Sequence, residues 1–422
     1  MSALAKYLLG RGKRVAGSDI TESIYTRELK KLGAKVSTGT NRESVADYEV
    51  VVYTDAIGEN DTQLVEAKRL NKFILSRGQF LYEVSREFGK VFAISGCHGK
   101  TTCTAMLAHI FFAANKNFSA HIGGRDVDFT NFIYRGNDFL ITEACEYKKN
   151  FLLLKPNVAV ILNGRPDHLE CYGDEEELEN CYLQFANSAE VKVSLYGDIG
   201  GGLTFGFDKN ADYHSKNITE NAGKYSFTAY EGDCELGKIN LSVYGKHNVL
   251  NALAAIAVAR SAQIPFVKIR DGLSQFKGVE RRFEKIGDFG GAACFADYAH
   301  HPDEIRATLR TARKISAGRL FVIFQPHTYS RTKNFMRQFV RVLAPLNNLL
   351  IYRTFAAREY YDDAGSALTL SQRIKKSRYG DDKRDIAEFL FKATADDLVL
   401  FLGAGDIYEI AKDLVKNQTV RP

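Results

Sequence analysis

The sequence predicts an α/β protein of two or three domains, and three observations carry that expectation. Apolar runs such as Val91–Ser95, Val158–Leu162, Leu320–Phe324 and Leu398–Leu402 alternate with helical stretches along most of the chain. Several of these runs pass directly into Gly-rich or polar segments, as strand ends do in open parallel sheets. At 422 residues, 45% hydrophobic and 26% charged, the chain can fill several cores of roughly 100–200 residues each, and its balance is globular.

The first ninety residues read as a βαβ-type pattern. Helices are expected at Ala3–Leu9, Ile24–Leu32 and Leu64–Leu70, and strands at Arg14–Gly17, Val50–Tyr53 and Phe73–Leu75. A dinucleotide-type unit opens with a strand and a Gly-rich turn, whereas this chain starts inside the helix that follows them. The first strand and its loop are therefore expected to be absent, as in a truncated chain or one read from a misplaced start. Asp19 follows a strand, where an acid meets a ribose hydroxyl or simply caps a turn.

A second unit begins with the Val91–Ser95 strand, a Gly-rich turn and the stretch Thr101–Ala114. Leu107, Phe111 and Ala114 share one face of that stretch, which predicts an amphipathic helix. Strands at Phe139–Thr142 and Val158–Leu162 follow. The segment from Gly197 to Tyr244 reads as β-rich decoration, and Lys246–Arg260 as an Ala-rich helix. Ile264-Pro265 marks a boundary, because Pro ends the preceding helix. A third α/β unit then has strands at Ala293–Ala296, Leu320–Phe324, Leu349–Tyr352 and Leu398–Leu402. Helices start near Pro302, Thr332, Leu368, Lys383 and Asp406.

Composition narrows the functional classes. The formal charge of +6 is small and dispersed, which implies no nucleic-acid partner but suits anionic small substrates. No apolar stretch reaches the roughly 18 residues of a membrane span, and no cleavable leader is seen, so a cytoplasmic protein without membrane insertion is expected. Seven Cys without a C-x-x-C pair argue against disulfides and zinc ribbons.

The chemistry concentrates at strand ends. Gly96-Cys97-His98-Gly99-Lys100-Thr101-Thr102, between strand and helix, has the parts of a phosphate-binding loop. Its Gly residues permit a turn whose N–H groups face a polyphosphate, Lys100 can neutralise phosphate charge, and a Thr hydroxyl can ligate Mg²⁺. The G-x-x-G-K-T-T spacing differs from the usual G-x-x-x-x-G-K-T. Glu143 and His168 arrive from neighbouring strand ends and could hold a second Mg²⁺, or be an ordinary strand-end acid and a turn histidine. Asn248 and Asn251, one helical turn apart, could read an adenine edge or cap the helix. Arg281-Arg282 and Asp297-Tyr298-Ala299-His300-His301-Pro302 flank the first strand of the third unit, and Gln325-Pro326-His327 through Arg331 follow the next.

In this order the motifs, together with Glu143-Ala-Cys-Glu146-Tyr, Asn163 through Asp167-His168, Arg281-Arg282-Phe283 and Gly403-Ala-Gly-Asp-Ile407, resemble the Mur ligases over essentially the whole chain. Within that family the likeness is greatest to the branch that joins L-alanine to UDP-N-acetylmuramate. Cys97 stands where the family has Thr or Asn, and the stretch from Asn163 to His168 is less apolar than usual. The resemblance implies a three-domain architecture. A Rossmann-like UDP-sugar domain would span 1–88, a central P-loop-type ATPase domain 89–263, and a C-terminal Rossmann-like amino-acid domain 264–422. ATP would phosphorylate the muramoyl carboxylate, and the amine of L-alanine would attack the acyl phosphate. By carry-over, Gly96, Cys97, His98, Gly99, Lys100, Thr101 and Thr102 cradle ATP, with Asn248 and Asn251 on the nucleotide. Thr101, Glu143 and His168 ligate Mg²⁺. Arg282 and Asp297 act on domain closure, while His300, His327 and Arg331 face the alanine. Monomer and homodimer are both compatible. Two rival readings are a recycling ligase that adds a preformed tripeptide to the same sugar, and a nucleotide-binding module inactive through its missing N-terminal loop.

Overall fold

The computed structural model describes residues 1–39, 44–164, 172–199 and 201–417. The chain divides into two units. One comprises residues 1–219, 226–243 and 247–277; the other comprises 220–225, 244–246 and the chain from 278 onward.

A ten-stranded sheet runs through the first unit, with central strands Lys90–Ser95, Phe139–Glu143 and Val158–Ile161. These strands are apolar on both faces, as parallel strands covered on both sides must be. Their parallel registers set Ile94 opposite Glu143 and Ser95 opposite Ile161, so three strand ends lie side by side. Strands Val191–Leu195, Leu203–Gly206, Tyr213–Asn221, Lys224–Glu231 and Cys234–Tyr244 extend one edge, as the β-rich reading expects; Phe118–Asp126 and Thr130–Tyr134 extend the other.

The helix Lys100–Ala113 departs from the amphipathic expectation. It is buried on every side from Cys103 to Phe111, because the sheet lies beneath it and two helices, His247–Ser261 and Phe266–Gln275, pack against it. A Cβ on Gly272 would lie 2.5 Å from the Ile110 Cα, so only glycine allows that approach. This packing keeps Phe266–Gln275 in the first unit, beyond the Ile264-Pro265 boundary that the sequence suggests.

Ahead of the large sheet lie two parallel strand pairs, Ala16–Asp19 with Lys35–Thr38 and Val50–Tyr53 with Phe73–Ser76. Their helices carry side-chain caps from Ser23, Asp61 and Ser76, each satisfying N–H groups that the helix itself cannot pair. Asp19 ends the first strand and is exposed.

The second unit is a six-stranded sheet in the order Glu284–Phe289, Ala292–Asp297, Leu398–Leu402, Leu320–Phe324, Asn348–Tyr352, Ser377–Gly380. All neighbours are parallel except the first pair. The two outer strands, Glu284–Phe289 and Ser377–Gly380, are short of apolar residues and carry no sequence signal of their own. Asp397 anchors one end of this sheet. Its carboxylate accepts hydrogen bonds from the Arg319 backbone N at 2.7 Å, its Nη2 at 2.7 Å and the Thr394 N at 2.8 Å. The Arg319 side chain, foremost, holds this carboxyl well below the usual aspartate range. Asp397→Ala should therefore destabilise the unit by about 1–3 kcal/mol for each backbone donor left unpaired. Because the folded-state value is depressed, the wild-type contribution is present above the ordinary aspartate value of 3.8 and is lost as pH falls below it. Urea unfolding at pH 7 and pH 3 checks both statements: the difference between wild type and variant should shrink at the lower pH. No helix among the described residues is long and apolar enough to cross a membrane.

Candidate functional site

The turn between the Lys90–Ser95 strand and the Lys100–Ala113 helix has the shape a phosphate loop needs. Gly96 and Gly99 adopt φ of 126° and 88°, a region that side chains disfavour. A Cβ on Gly99 would lie 2.4 Å from the Asn251 Oδ1, and one on Gly96 3.0 Å from the Leu162 N. Asn163, which has no role in the sequence reading, braces the turn. Its Oδ1 accepts from the His98 N at 3.1 Å and its Nδ2 donates to the His98 O at 3.0 Å. The helix begins without a side-chain cap, so its leading N–H groups face outward as an anion site would require. Thr101 is buried in the first turn. Cys97 is buried too, its Sγ 3.2 Å from the His98 Nε2.

Lys100 folds back over the loop. Its Nζ donates to the Gly96 O at 2.5 Å, the Cys97 O at 3.2 Å and the Glu146 Oε1 at 2.9 Å. Burial works against its charge, but Glu146 first, then Cys145 and Glu143, outweigh that and leave the ammonium above the ordinary lysine range. Glu146, part of the Glu143-Ala-Cys-Glu146-Tyr motif but given no role of its own by the sequence reading, is 0% exposed. Glu143 reaches across to accept from the Gly123 N at 2.5 Å, a position open only because Gly123 has no Cβ. Behind it, the His121 Nδ1 lies 3.0 Å from the Thr142 Oγ1. Burial, then Arg77, keeps this imidazole well below the usual histidine range. Asn248 and Asn251 are buried on one helix face as expected, with the Asn251 Nδ2 donating to the Asn248 Oδ1 at 2.9 Å. His168 lies outside the described residues.

The hydroxyl of Thr101 and the carboxylate of Glu143 are hard oxygen donors, the type Mg²⁺ prefers. The Glu146 Oε2 beside them is buried without a hydrogen-bond partner among the described residues, a fixed negative charge that suits a divalent cation at those donors. His109, Asp126 and Asp128 also have metal-like spacing. Their groups are otherwise engaged: Asp126 accepts from His109 and from the Asp128 and Phe129 N–H groups, and Asp128 from Lys277. They brace a turn.

In the second unit, Asp297 ends its strand and ties two turns together. Its Oδ2 accepts from the Phe283 N and its Oδ1 from the Ala299 N, each at 2.8 Å. Burial lifts this carboxyl to about 6, with Arg282 opposing. The paired arginines differ in role. Arg281 donates to the Gly403 and Gly405 carbonyls at 3.1 and 2.8 Å, a structural anchor, while Arg282 is exposed with its guanidinium 5.3 Å from the Tyr298 ring centre. The ring of His300 lies 6.0 Å from that of His327, which stacks on Phe355 at 5.5 Å and 12°. Burial, then His300 and Arg331, pushes His327 down to about 4, so it is neutral at pH 7. The Arg331 Nη1 donates to the His327 O at 3.3 Å. Phe355 adds to the predicted set, and Gln325 of the Gln325-Pro326-His327 motif finds its partners across the unit. The Gln325 Nε2 donates to Asp406 at 2.6 Å and its Oε1 accepts from the Ile407 N at 3.0 Å. Two motifs distant in sequence are thereby one network. A neutral imidazole beside a guanidinium suits a small molecule bearing both amine and carboxylate.

Three family models match the chain. They are described as Mur ligase family, catalytic domain, over residues 1–89; Mur ligase middle domain, over 94–259; and Mur ligase, glutamate ligase domain, over 281–405. The UDP-N-acetylmuramate--L-alanine ligase of Clostridium novyi (strain NT) is 38% identical, covering 98% of this chain and 94% of the relative. Among solved structures, the UDP-N-acetylmuramate-alanine ligase of Thermotoga maritima superposes with a TM-score of 0.85 at 27% identity, over 99% of this chain and 96% of that one. A murein peptide ligase from Psychrobacter arcticus has a TM-score of 0.75 at 23% identity, over 100% and 97%, and shares the fold.

Proposed function

The chain belongs to the Mur ligase family, and from that premise we propose that it joins L-alanine to UDP-N-acetylmuramate in an ATP-dependent ligation. The product is a peptidoglycan precursor, and the enzyme works in the cytoplasm. The observation that carries this reading is 38% identity, over nearly the whole of both chains, to a ligase of that name, supported by a Gly-rich turn closed by Lys100.

Three regions share the work: residues 1–88 take the UDP-sugar, the nucleotide region runs from 89 to 277, and the chain from 278 onward takes the amino acid. Gly96 through Thr102 present N–H groups to the polyphosphate, and Lys100 moves from its loop carbonyls onto the β- and γ-phosphates. Asn248 and Asn251 meet the nucleotide behind Gly99. Thr101, Glu143 and His168 hold Mg²⁺, which supplies neutralisation of phosphate charge when bound. The muramoyl carboxylate takes the γ-phosphoryl group, releasing ADP; the alanine amine then displaces phosphate from the acyl phosphate and leaves an amide. Arg331 takes the alanine carboxylate, with His300 and the neutral His327 ring beside the amine. Asp297 holds the turns on either side of Arg282, whose guanidinium offsets phosphate charge.

A single-turnover assay with ATP, UDP-N-acetylmuramate and either L-alanine or a preformed tripeptide tests the proposal. Amide formation with alanine alone is the expected result. Amide formation with the tripeptide alone would move the chain to the recycling reaction, and nucleotide binding without any amide would leave a binding module.

A further inference from the structure

Glu146 has no part in the reaction outlined above, yet its carboxylate is fully buried beside the lysine on which nucleotide binding turns. One oxygen meets Lys100 at 2.9 Å, and the other has no hydrogen-bond partner among the described residues. The backbone around it is held in place, since the Glu146 O accepts from the Tyr172 hydroxyl at 2.5 Å. A buried carboxylate so thinly satisfied carries a desolvation penalty that packing alone does not offset. Its neighbour Glu143 adds a second negative charge at the same strand end. The Lys100, Glu143 and Glu146 side chains together therefore sum to one negative charge. A phosphate oxygen taken up by the Lys100 ammonium would come within about 6 Å of Glu146, two hydrogen-bond lengths away.

We propose that Glu146 makes nucleotide binding depend on a divalent cation, by cancelling the charge of Lys100 and, with Glu143, repelling bare polyphosphate. This inference rests on reading Gly96–Thr102 as the nucleotide site. Bare ADP carries about three negative charges and its magnesium complex about one, so a fixed charge nearby weighs roughly three times more heavily on the bare form.

The test is calorimetric titration of the full chain with ADP in chelator and with MgADP, for wild type and Glu146→Gln. Bare ADP should bind at least about tenfold tighter to the variant and MgADP only about twofold tighter, which narrows the preference for the magnesium form about fivefold. Equal changes for both forms would overturn the inference. Selective weakening of MgADP would also overturn it, making Glu146 a metal ligand instead. Glu146→Met provides a second neutral variant, with folding followed by thermal melting; if neither neutral variant folds, Glu146 is a structural ion-pair partner and the inference fails. A wild-type chain that binds neither form of ADP would instead remove the nucleotide site itself.

Discussion

Lys100→Ala is expected to abolish ligation, with a drop of at least about 10²–10³-fold in single-turnover rate, the scale on which one preorganised charge-stabilising donor acts. In the proposed reaction the lysine is the cation of the phosphate loop, and the transferring phosphoryl group gathers charge next to it. The same substitution strands Glu146, which is 0% exposed and has Lys100 as its ion-pair partner. Leaving a buried charge unpaired costs roughly 3–5 kcal/mol, so the variant should also melt at a lower temperature. Adding Glu146→Gln removes that charge and separates the two effects: the double variant should regain stability and stay inactive. Near-normal amide formation by a folded Lys100→Ala protein would dismiss the role given to the loop.

Gly99→Ala should be nearly as damaging, through geometry instead of charge. At φ of 88° an alanine is strained by roughly 1–2 kcal/mol. Its Cβ would also sit 2.4 Å from the Asn251 Oδ1, so either the loop or the Asn251–Asn248 amide pair must shift. A displacement of about 1 Å in a positioning group is enough to lower turnover ~10²-fold. ATP affinity measured by calorimetry should fall together with ligation rate, while the melting temperature changes less than in Lys100→Ala. Unchanged ATP affinity would mean that Gly99 does not shape the nucleotide site.

Much of this site was legible in the chain because its parts are local. Gly96 through Thr102 carry their function in seven consecutive positions, and Glu143, Asp297 and Gln325-Pro326-His327 each announce themselves as polar residues closing an apolar strand. Within each sheet, parallel strand order places such ends along one edge, so their appearance signals a site before any contact is known. The buried strands were equally readable, since a run such as Val158–Ile161 or Leu398–Leu402 is apolar at every position. The outer strand Ser377–Gly380 was not, because an edge strand needs little apolar surface.

The sequence by itself determined the α/β class, the phosphate loop and the family, because these depend on short-range pattern and on the order of motifs. Only the tertiary structure decided which groups meet. Glu146 becomes the partner of Lys100 across 46 positions, Asn163 braces His98 across 65, and Gln325 joins Asp406 across 81. Whether a helix such as Lys100–Ala113 shows one apolar face or is buried all round likewise depends on what packs over it. Such pairings follow from strand register and helix packing, where a side chain's energy is set by neighbours distant in the chain, and no local pattern of residue types encodes that.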